Sequence, residues 1–424
     1  MHGPLDLALE SNPRTATRAR PAHGAFEHDL VGEPVPTFPD HALRTEWRPL
    51  TSLADITAEW KALADRAVEP NVFYERSFVL AAAPVLEPHV GALLVWSAAG
   101  RLLGFFPAQI QRRYGPFGRV ILGWAHSYGP LGLPLVDRDA AEKVITAWLD
   151  HLERDERFPA VLLMPFLPEE GPFATAFDRV IALRGIRTAR FGRHARAFFE
   201  PGHSRDDYLQ RSISAKTRKE LGRKRRRLDE CGAVTREAIT APTAIRVAMA
   251  DFFALEASGW KGRAGTAAMM SGDIRGFIEK AVTGLSADGK ARADLVRVDG
   301  KLIAATLVLT SGGTAWGWKI AYDETYARFS PAVQLVLDLT QTLLANPSIQ
   351  RADSCATPDH PMIDHLWRER LPLADSMIAL RPGIAFPLAQ KLEAARRSAI
   401  AAAKTAREWM RRKTPKRDRA TAAE

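Results

Sequence analysis

The stretch ADLVRVDGKLIAATLVLTSGGTAWGWKIAY, residues 293–322, decides the fold class of this 424-residue chain. Three runs rich in aliphatic and aromatic residues are separated by Asp299-Gly300 and by Ser311-Gly312-Gly313. Asp-Gly and Gly-Gly pairs are typical of tight hairpin turns, because glycine adopts the positive φ that these turns need. The pattern predicts three consecutive antiparallel strands, and residues 331–345 predict a helix directly after them.

The first half of the chain repeats this order two hundred residues earlier. Gly100-Arg101-Leu102-Leu103 takes the same place in its hairpin as Gly300-Lys301-Leu302-Ile303 does in the second half. Strands are predicted over 90–97, 101–110, 119–124 and 160–164, and helices over 53–67, 77–83 and 140–152. The shared order of helix, antiparallel strands, helix and strand predicts a duplicated α/β unit.

Strands and helices are segregated within each unit, which favours an α/β fold of the α+β kind, with a mixed, mostly antiparallel sheet flanked by helices. We expect an N-terminal module over 42–200 and a C-terminal module over 201–382. Residues 1–41 lack apolar periodicity and predict a disordered leader. Residues 383–424 form a separate basic tail.

The positive charge of the chain is concentrated in two segments. The net charge is +10, and residues 211–227 alone contain nine lysines or arginines and one acid. The segment predicts a basic helix over 212–231 that begins at Ser212 and Ser214 and ends at Gly232. Because burial of an unpaired guanidinium costs several kcal/mol, roughly, this helix faces solvent or a polyanion such as tRNA.

The tail predicts a second basic helix, this one amphipathic. Apolar residues recur every three or four positions from 386 to 410, but most of them are alanines, which bury little area. We expect reversible attachment to an anionic membrane surface or to a partner, with a solvated, frayed terminus as the alternative. Two cysteines and no long apolar run favour a reduced, cytoplasmic compartment, with peripheral attachment at the inner face of the membrane left open.

Three segments carry a resemblance to a known family: the basic helix, residues 255–266 (LEASGWKGRAGT) and residues 318–323 (WKIAYD). They resemble the BioF2-like acyltransferases, relatives of the cellulose-biosynthesis CelD/BcsL group within the GNAT superfamily. The resemblance implies two tandem GNAT-type modules, as in the FemABX peptidyltransferases. It also implies transfer of an acyl group to an amine, from acetyl-CoA or another acyl-CoA, without a metal.

The phosphate-binding loop departs from the pattern of that superfamily. Most members hold the coenzyme A pyrophosphate with a glycine-rich loop, whereas residues 323–332 here read DETYARFSPA. Ser330 can cap the next helix, Arg328 supplies a charge, and Ala332 lies in the first helical turn, where N–H groups are free. With Lys319, which is predicted to face the cleft or else to protect a sheet edge, these are the candidate cofactor-binding residues. FemABX relatives also lack the full loop and use aminoacyl-tRNA, so both donors stay open.

The candidate catalytic residues follow the third strand. Attack of an amine needs a proton acceptor and donors for the developing oxyanion. Asp323 is the leading base candidate and Glu324 the second, with a turn-capping acid as the alternative for both. Tyr326 is a candidate proton donor to the leaving thiolate, or a packing residue.

The candidate substrate-binding residues are Glu256, Trp260, Lys261, Arg263 and His360. Glycines make 259–265 pliant, and its cations suit a phosphate or a carboxylate. Cys355 with His360 and His365 is compatible with a Cys/His nucleophile or a metal site, but the spacing is weak for either.

We expect the second module to hold the donor and the base, while loops such as residues 128–132 of the first module shape the acceptor cleft. The acceptor is expected to be an amino sugar, an envelope or polysaccharide precursor, or an amino acid. Two alternatives remain: a FemABX-like aminoacyl-tRNA-dependent peptidyltransferase, and a non-catalytic module that organises envelope polysaccharide enzymes.

Overall fold

The computed structural model describes residues 43–413, apart from 203, 204, 206, 264 and 266. The predicted leader and the end of the tail lie outside the described residues. The strands are β1 (Arg44–Pro49), β2 (Gly91–Trp96), β3 (Leu102–Gln111), β4 (Val120–Gly123), β5 (Leu135–Val136), β6 (Val161–Pro168), β7 (Thr188–Phe199), β8 (Val234–Ile239), β9 (Ala291–Val298), β10 (Lys301–Ser311), β11 (Thr314–Tyr322), β12 (Arg351–Asp353) and β13 (Glu369–Ala379).

Both halves of the chain contain helices. They are α1 (Thr57–Arg66), α2 (Arg76–Leu86), α3 (Ala141–Arg154), α4 (Pro172–Leu183), α5 (Tyr208–Ser212), α6 (Ala215–Asp229), α7 (Pro242–Ser258), α8 (Trp260–Arg263), α9 (Gly272–Ala287), α10 (Pro331–Ala345) and α11 (Ala385–Lys413). Short 3-10 turns cover Leu50–Ile56, Val72–Tyr74, Gly115–Phe117, Ala268–Met270, Glu324–Phe329 and Ile363–His365.

The strands form a single sheet in the order β1-β2-β3-β4-β6-β13-β7-β12-β11-β10-β9-β8, and β5 pairs with β3. Neighbours along this path are antiparallel except for β4 with β6 and β11 with β12. The predicted mixed, mostly antiparallel sheet flanked by helices is confirmed.

The two halves of the sheet have the same pattern of antiparallel and parallel strand pairs, counted from each outer edge inward. From each edge, three antiparallel pairs lead to a parallel pair, β4 with β6 in the first half and β11 with β12 in the second. Helices α1 and α2 precede the first hairpin, as α7 and α9 precede the second. This arrangement is the duplicated α/β unit that the repeated hairpins predict.

The two halves exchange one strand each. Strand β13, from the end of the chain, pairs with β6, and β7, from the first half, pairs with β12. Strands β13 and β7 also pair with each other from Glu369↔Phe198 to Ile378↔Thr188. The sheet is therefore continuous across the expected module boundary at residue 200.

Aromatic side chains join the halves on one face of the sheet. Phe78 of α2 lies 5.4 Å from Phe277 of α9 and 5.6 Å from Trp318 of β11, measured between ring centroids. The Trp318 indole N–H donates to the Tyr128 carbonyl at 2.7 Å. Because each buried aromatic ring removes a large apolar area from water, this cluster ties the second half's central strand to the first half.

Two helix predictions need correction. The basic helix α6 begins after Ser214, whose hydroxyl accepts the Thr217 N–H, but it ends at Asp229 rather than at Gly232. Gly232 instead lies in the turn before β8, with φ of 152°, where a side chain would meet the Asp299 carboxylate. The helix predicted over 53–67 begins as a 3-10 turn and becomes α-helical at Thr57.

The tail helix α11 is partly integrated into the fold. Phe386 and Ala389 are buried against β6 and β13, and Glu393 is fully buried between Arg113, Arg396 and Arg397. Residues 398–406 are exposed. Among the described helices, none is long and apolar enough to cross a membrane.

Candidate active site

A cleft opens in the second half where two parallel strands part. Strand β11 pairs with β12 from Thr314↔Arg351 to Trp316↔Asp353. Beyond that point β11 continues to Tyr322, held on its other side by β10, whereas the chain after Asp353 turns away at Cys355, whose φ is 53°. Helix α10 begins beside the opening, at Pro331.

Two adjoining cavities fill this cleft. The larger, about 470 Å³, lies between the end of α7 and the beginning of α10. The smaller, about 180 Å³, lies against α10 and the segment after β12. Ile320, His360 and Met362 line both cavities, so they mark the junction between the two.

A buried ion pair joins the walls of the cavities. Lys319 lines the smaller cavity, Glu256 lines the larger, and Lys319 Nζ lies 3.2 Å from Glu256 Oε1. Glu256 Oε2 also accepts the Ala268 N–H at 3.0 Å. Since both side chains are largely removed from water, the pair holds an ammonium group at a fixed place in the cleft.

The beginning of α10 and the basic helix α6 meet at the mouth of the larger cavity. Ser330, Pro331 and Ala332 line it, and Ser330 has the left-handed φ of 53° that turns the chain into α10. Lys224 Nζ of α6 donates to the Ser330 hydroxyl at 3.1 Å. A helix N-terminus with an adjacent ammonium is a favourable place for an anion.

The sequence of this region matches a known family. Residues 215–360 match the family model described as the acetyltransferase (GNAT) domain. This part of the chain is therefore similar in sequence to a GNAT acetyltransferase domain. No curated protein matches the chain by sequence.

Solved structures extend the likeness beyond the GNAT domain. The crystal structure of FemX is similar over 80% of this chain and 98% of its own, with a TM-score of 0.53 and 11% identity. A protein of unknown function from Bacteroides thetaiotaomicron is similar over 78% of this chain and 98% of its own, with a TM-score of 0.50 and 11% identity. At these identities the likeness concerns the fold, and the predicted GNAT-superfamily, FemABX-like fold is confirmed. The finer resemblance to the BioF2-like and CelD groups stays a prediction.

Asp323 has the geometry of a cap. Its carboxylate accepts the Thr325 N–H at 2.9 Å and the Lys301 ammonium at 2.7 Å, and it is absent from the lining of both cavities. Burial alone would raise the pKa of Asp323, but the hydrogen bonds from Lys301 and Thr325 outweigh it and hold the pKa below its usual range. The arrangement favours the turn-capping alternative over the base.

The other candidates after β11 also point to local roles. Glu324 pairs with Arg263 at 2.6 Å, so two predicted site residues contact each other at the surface. Tyr326 packs beside Phe329, with the Lys301 ammonium 5.6 Å from its ring centroid. The Arg328 guanidinium lies 4.7 Å from the Phe329 ring centroid and is exposed. Trp260 and Lys261 lie in α8, and their side chains fall outside the described part of the chain.

His360 and Cys355 both line the smaller cavity of the GNAT domain. Burial raises the pKa of the Cys355 thiol, so this side chain is a neutral thiol and a poor nucleophile. His360 Nδ1 accepts the Met362 N–H at 3.3 Å, which orients its ring at the junction of the cavities. Within the described ranges, no group of three or more His, Cys, Asp or Glu side chains is arranged for a metal.

The loop at 128–132 of the first half lies outside the lining of both cavities but contacts Lys319 and Trp318 of the smaller one. The Lys319 ammonium lies 5.4 Å from the Tyr128 ring centroid, and Trp318 donates to the Tyr128 carbonyl. Sequence reasoning grouped this loop with the first half and missed Lys224 as a neighbour of Ser330. In both cases the partners lie about a hundred or more residues apart, and no local pattern links them.

Proposed function

We propose that this protein is an acyltransferase that moves an acyl group from an acyl-CoA to an amine, in the cleft between β11 and β12. The observation that carries the proposal is the parting of these strands beside the beginning of α10. Parted strands leave backbone groups of β11 without a sheet partner, and such groups can pair with an extended substrate. The GNAT domain supports the reaction class.

The phosphates of the donor fit the mouth of the larger cavity. Ala332 and Val333 lie in the first turn of α10, whose N–H groups have no partner within the helix. Lys224 adds a positive charge beside Ser330, and Arg328 lies nearby on the surface. Because Pro331 lacks an N–H and the loop lacks glycines, we assign part of the phosphate binding to the lysine.

The reacting carbonyl fits the part of the smaller cavity that contains Lys319, which directly precedes the junction residue Ile320 in the chain. The acceptor nitrogen forms a bond to the carbonyl carbon, and the carbon–sulfur bond of the thioester breaks. The ammonium of Lys319, held by Glu256, stabilises the oxyanion that develops. The amine gives up one proton to water at the cavity mouth and the thiolate takes one, so the products are an amide and a free thiol.

Thiol release tests the reaction directly. Purified protein should release coenzyme A from an acyl-CoA when glucosamine, an amino acid or another primary amine is added, and the product should gain the mass of the acyl group. Release that does not depend on an added amine would indicate hydrolysis. Absence of both binding and release with acyl-CoA would refute this donor.

The exposed cations of α6 favour one second candidate, an aminoacyl-tRNA donor. Lys216, Arg223 and Arg227 are exposed, and Lys224 of the same helix reaches Ser330 at the cleft. A basic helix that leads to the cleft would suit tRNA, because the helix could bind the phosphates while the aminoacylated end enters the cleft. Neutralising the three exposed residues should lower the salt slope of tRNA binding by about two to three. A protein that retains no RNA and shows a shallow slope would exclude this donor.

A further inference from the structure

We infer that the smaller cavity is the chamber for the acyl chain of the donor, and that it selects an uncharged, apolar chain of about six carbons. The inference rests on the proposed function, because it concerns the same cleft. It assigns a substrate class, which the fold does not supply.

The walls of the chamber suit a hydrocarbon chain. Nine of the fourteen lining residues have apolar or sulfur-containing side chains: Trp318, Ile320, Val336, Leu339, Cys355, Ala356, Met362, Ile363 and Trp367. The other lining residues are Gly317 and four polar ones, Thr306, Lys319, Ser354 and His360. Lys319 pairs with Glu256, and His360 Nδ1 accepts the Met362 N–H. Thr306 donates to the Lys319 carbonyl at 2.9 Å, and Ser354 accepts the Ala356 N–H at 3.2 Å. A polar chain would gain few new hydrogen bonds there.

The charges around the chamber disfavour an aminoacyl group. Lys319 is the cation in the lining, and the α-ammonium of an aminoacyl group would lie near it. The Glu256 carboxylate pairs with Lys319, and the carboxylate of Asp353, which precedes the lining residue Ser354, pairs with the buried Arg196. An extra ammonium would therefore be desolvated beside a like charge, which is unfavourable in a buried site.

The size of the chamber sets the chain length. An apolar cavity of about 150 Å³ in another protein holds a benzene molecule. The 180 Å³ here correspond to a chain of about the same number of carbons. The chamber adjoins the larger cavity at His360, and Lys319 lies in its lining, so the carbonyl stays beside Lys319 while the chain extends into the rest of the chamber.

Gly317 keeps the chamber open. It lies in the wall, and a Cβ built there would meet Asp353 O and Ser354 O at 3.9 Å and the Trp367 ring at 4.0 Å. These are ordinary contact distances, so alanine fits without strain and valine would occupy the chamber. Gly317 is therefore a residue that determines specificity through the space it leaves.

Calorimetric titration of the full chain with coenzyme A and with its acetyl, butyryl, hexanoyl and decanoyl thioesters tests this. Each buried methylene should strengthen binding about fourfold up to hexanoyl, and decanoyl should gain nothing further. Gly317→Val should move the optimum to butyryl, while Val336→Ala should move it beyond hexanoyl. Leu337→Ala, the neighbouring truncation on α10 outside the lining, should keep the wild-type optimum.

The outcomes separate this inference from the proposed function. Binding of all thioesters with equal affinity would overturn the chamber and leave the donor intact. A folded Gly317→Val protein that still binds hexanoyl-CoA best would also overturn the chamber and leave the donor intact. If valine impairs folding, Gly317→Ala gives a milder test. Failure of coenzyme A and every thioester to bind would overturn the donor and the chamber together.

Discussion

Each half of the molecule has one pair of parallel strands that part, and in the second half a cleft with two cavities opens at that place. In the first half, β4 pairs with β6 at Ile121↔Leu162 and Leu122↔Leu163, and the following residues 124–134 fold back over the opening. Gly132 donates to the Phe166 carbonyl, and a Cβ at Gly132 would lie 2.0 Å from the Pro165 carbonyl oxygen. In the second half, the short turn Glu324–Phe329 and the beginning of α10 leave the opening free.

The difference teaches that strand topology alone does not make a site in this fold. The first half fills its opening with the buried Trp124, Leu131 and Leu133, and Asn71 holds the Leu131 and Leu133 carbonyls. The same filling loop then presents Tyr128 to Lys319 of the second half. The first half therefore supports the site of the second half. Each prediction below tests this difference between the two halves.

The largest effect is expected at Lys319. Lys319→Met should lower turnover by roughly a hundredfold to a thousandfold, as loss of an oxyanion donor does. It also removes the Lys319 partner of the buried Glu256 carboxylate, which destabilises the fold. The double variant Glu256→Met/Lys319→Met removes that charge, so it should recover stability but not turnover. Recovery of both would make the pair structural. Lys301→Met, an exposed lysine outside the lining of both cavities, serves as the control.

The loop that fills the opening of the first half should make the free energy of unfolding depend on pH. Burial lowers the pKa of His126, within the filling loop, to about 4, against about 6.5 in the unfolded chain. Its contribution to stability is therefore complete above pH 6.5 and is lost as the pH falls from 6.5 to 4, by up to about 3 kcal/mol. Denaturant unfolding at several pH values measures this. His126→Asn should flatten the dependence in that window, and an unchanged slope would contradict the assignment.

The mouth of the second-half cleft is expected to show a smaller effect. Lys224→Ala should weaken coenzyme A binding about tenfold, or 1.4 kcal/mol, because one charged phosphate contact is lost. Arg226→Ala, an exposed cation on the same helix, should change the affinity little. Equal losses in both variants would indicate a general electrostatic effect of the basic helix rather than a defined contact.

The smallest effect is expected at Asp323. As a cap, Asp323→Ala should lower the free energy of unfolding by about 1 kcal/mol and change turnover less than threefold. As a base, Asp323→Asn would instead lower turnover by roughly a hundredfold with little change in stability. Measuring both quantities on both variants decides between the two interpretations of this residue.

The elements with local signals could be predicted from the sequence. Asp299-Gly300 has φ of 49° and 79°, as its hairpin needs, and β10, β11 and α10 begin at the predicted residues. In contrast, the first half of β7, TARFGRH, alternates between partial and full exposure and carries no apolar pattern, so its strand was missed. Strand β13 pairs with residues far away in the chain, which local periodicity does not encode.

The residues of the candidate site that have local sequence signals could also be predicted, whereas their pairings could not. Ser330, Ala332, Lys319, Glu256 and His360 were chosen from their neighbours in sequence, and all line the cleft. The pairing of Lys319 with Glu256 and of Lys224 with Ser330 depends on how helices pack against the sheet. Asp323 had two roles compatible with its sequence, and the hydrogen bonds of its carboxylate distinguish them.

The exchange of β7 and β13 has a consequence for the biosynthesis of this protein. While the ribosome is still producing the second half, β6 has a free edge on the side that β13 will occupy. An exposed edge can pair with other chains, and contacts of long sequence separation form slowly. The sheet of the first half therefore cannot be completed until the ribosome has released β13. A gene cut at residue 200 would yield two polypeptides that each lack a strand of their own sheet.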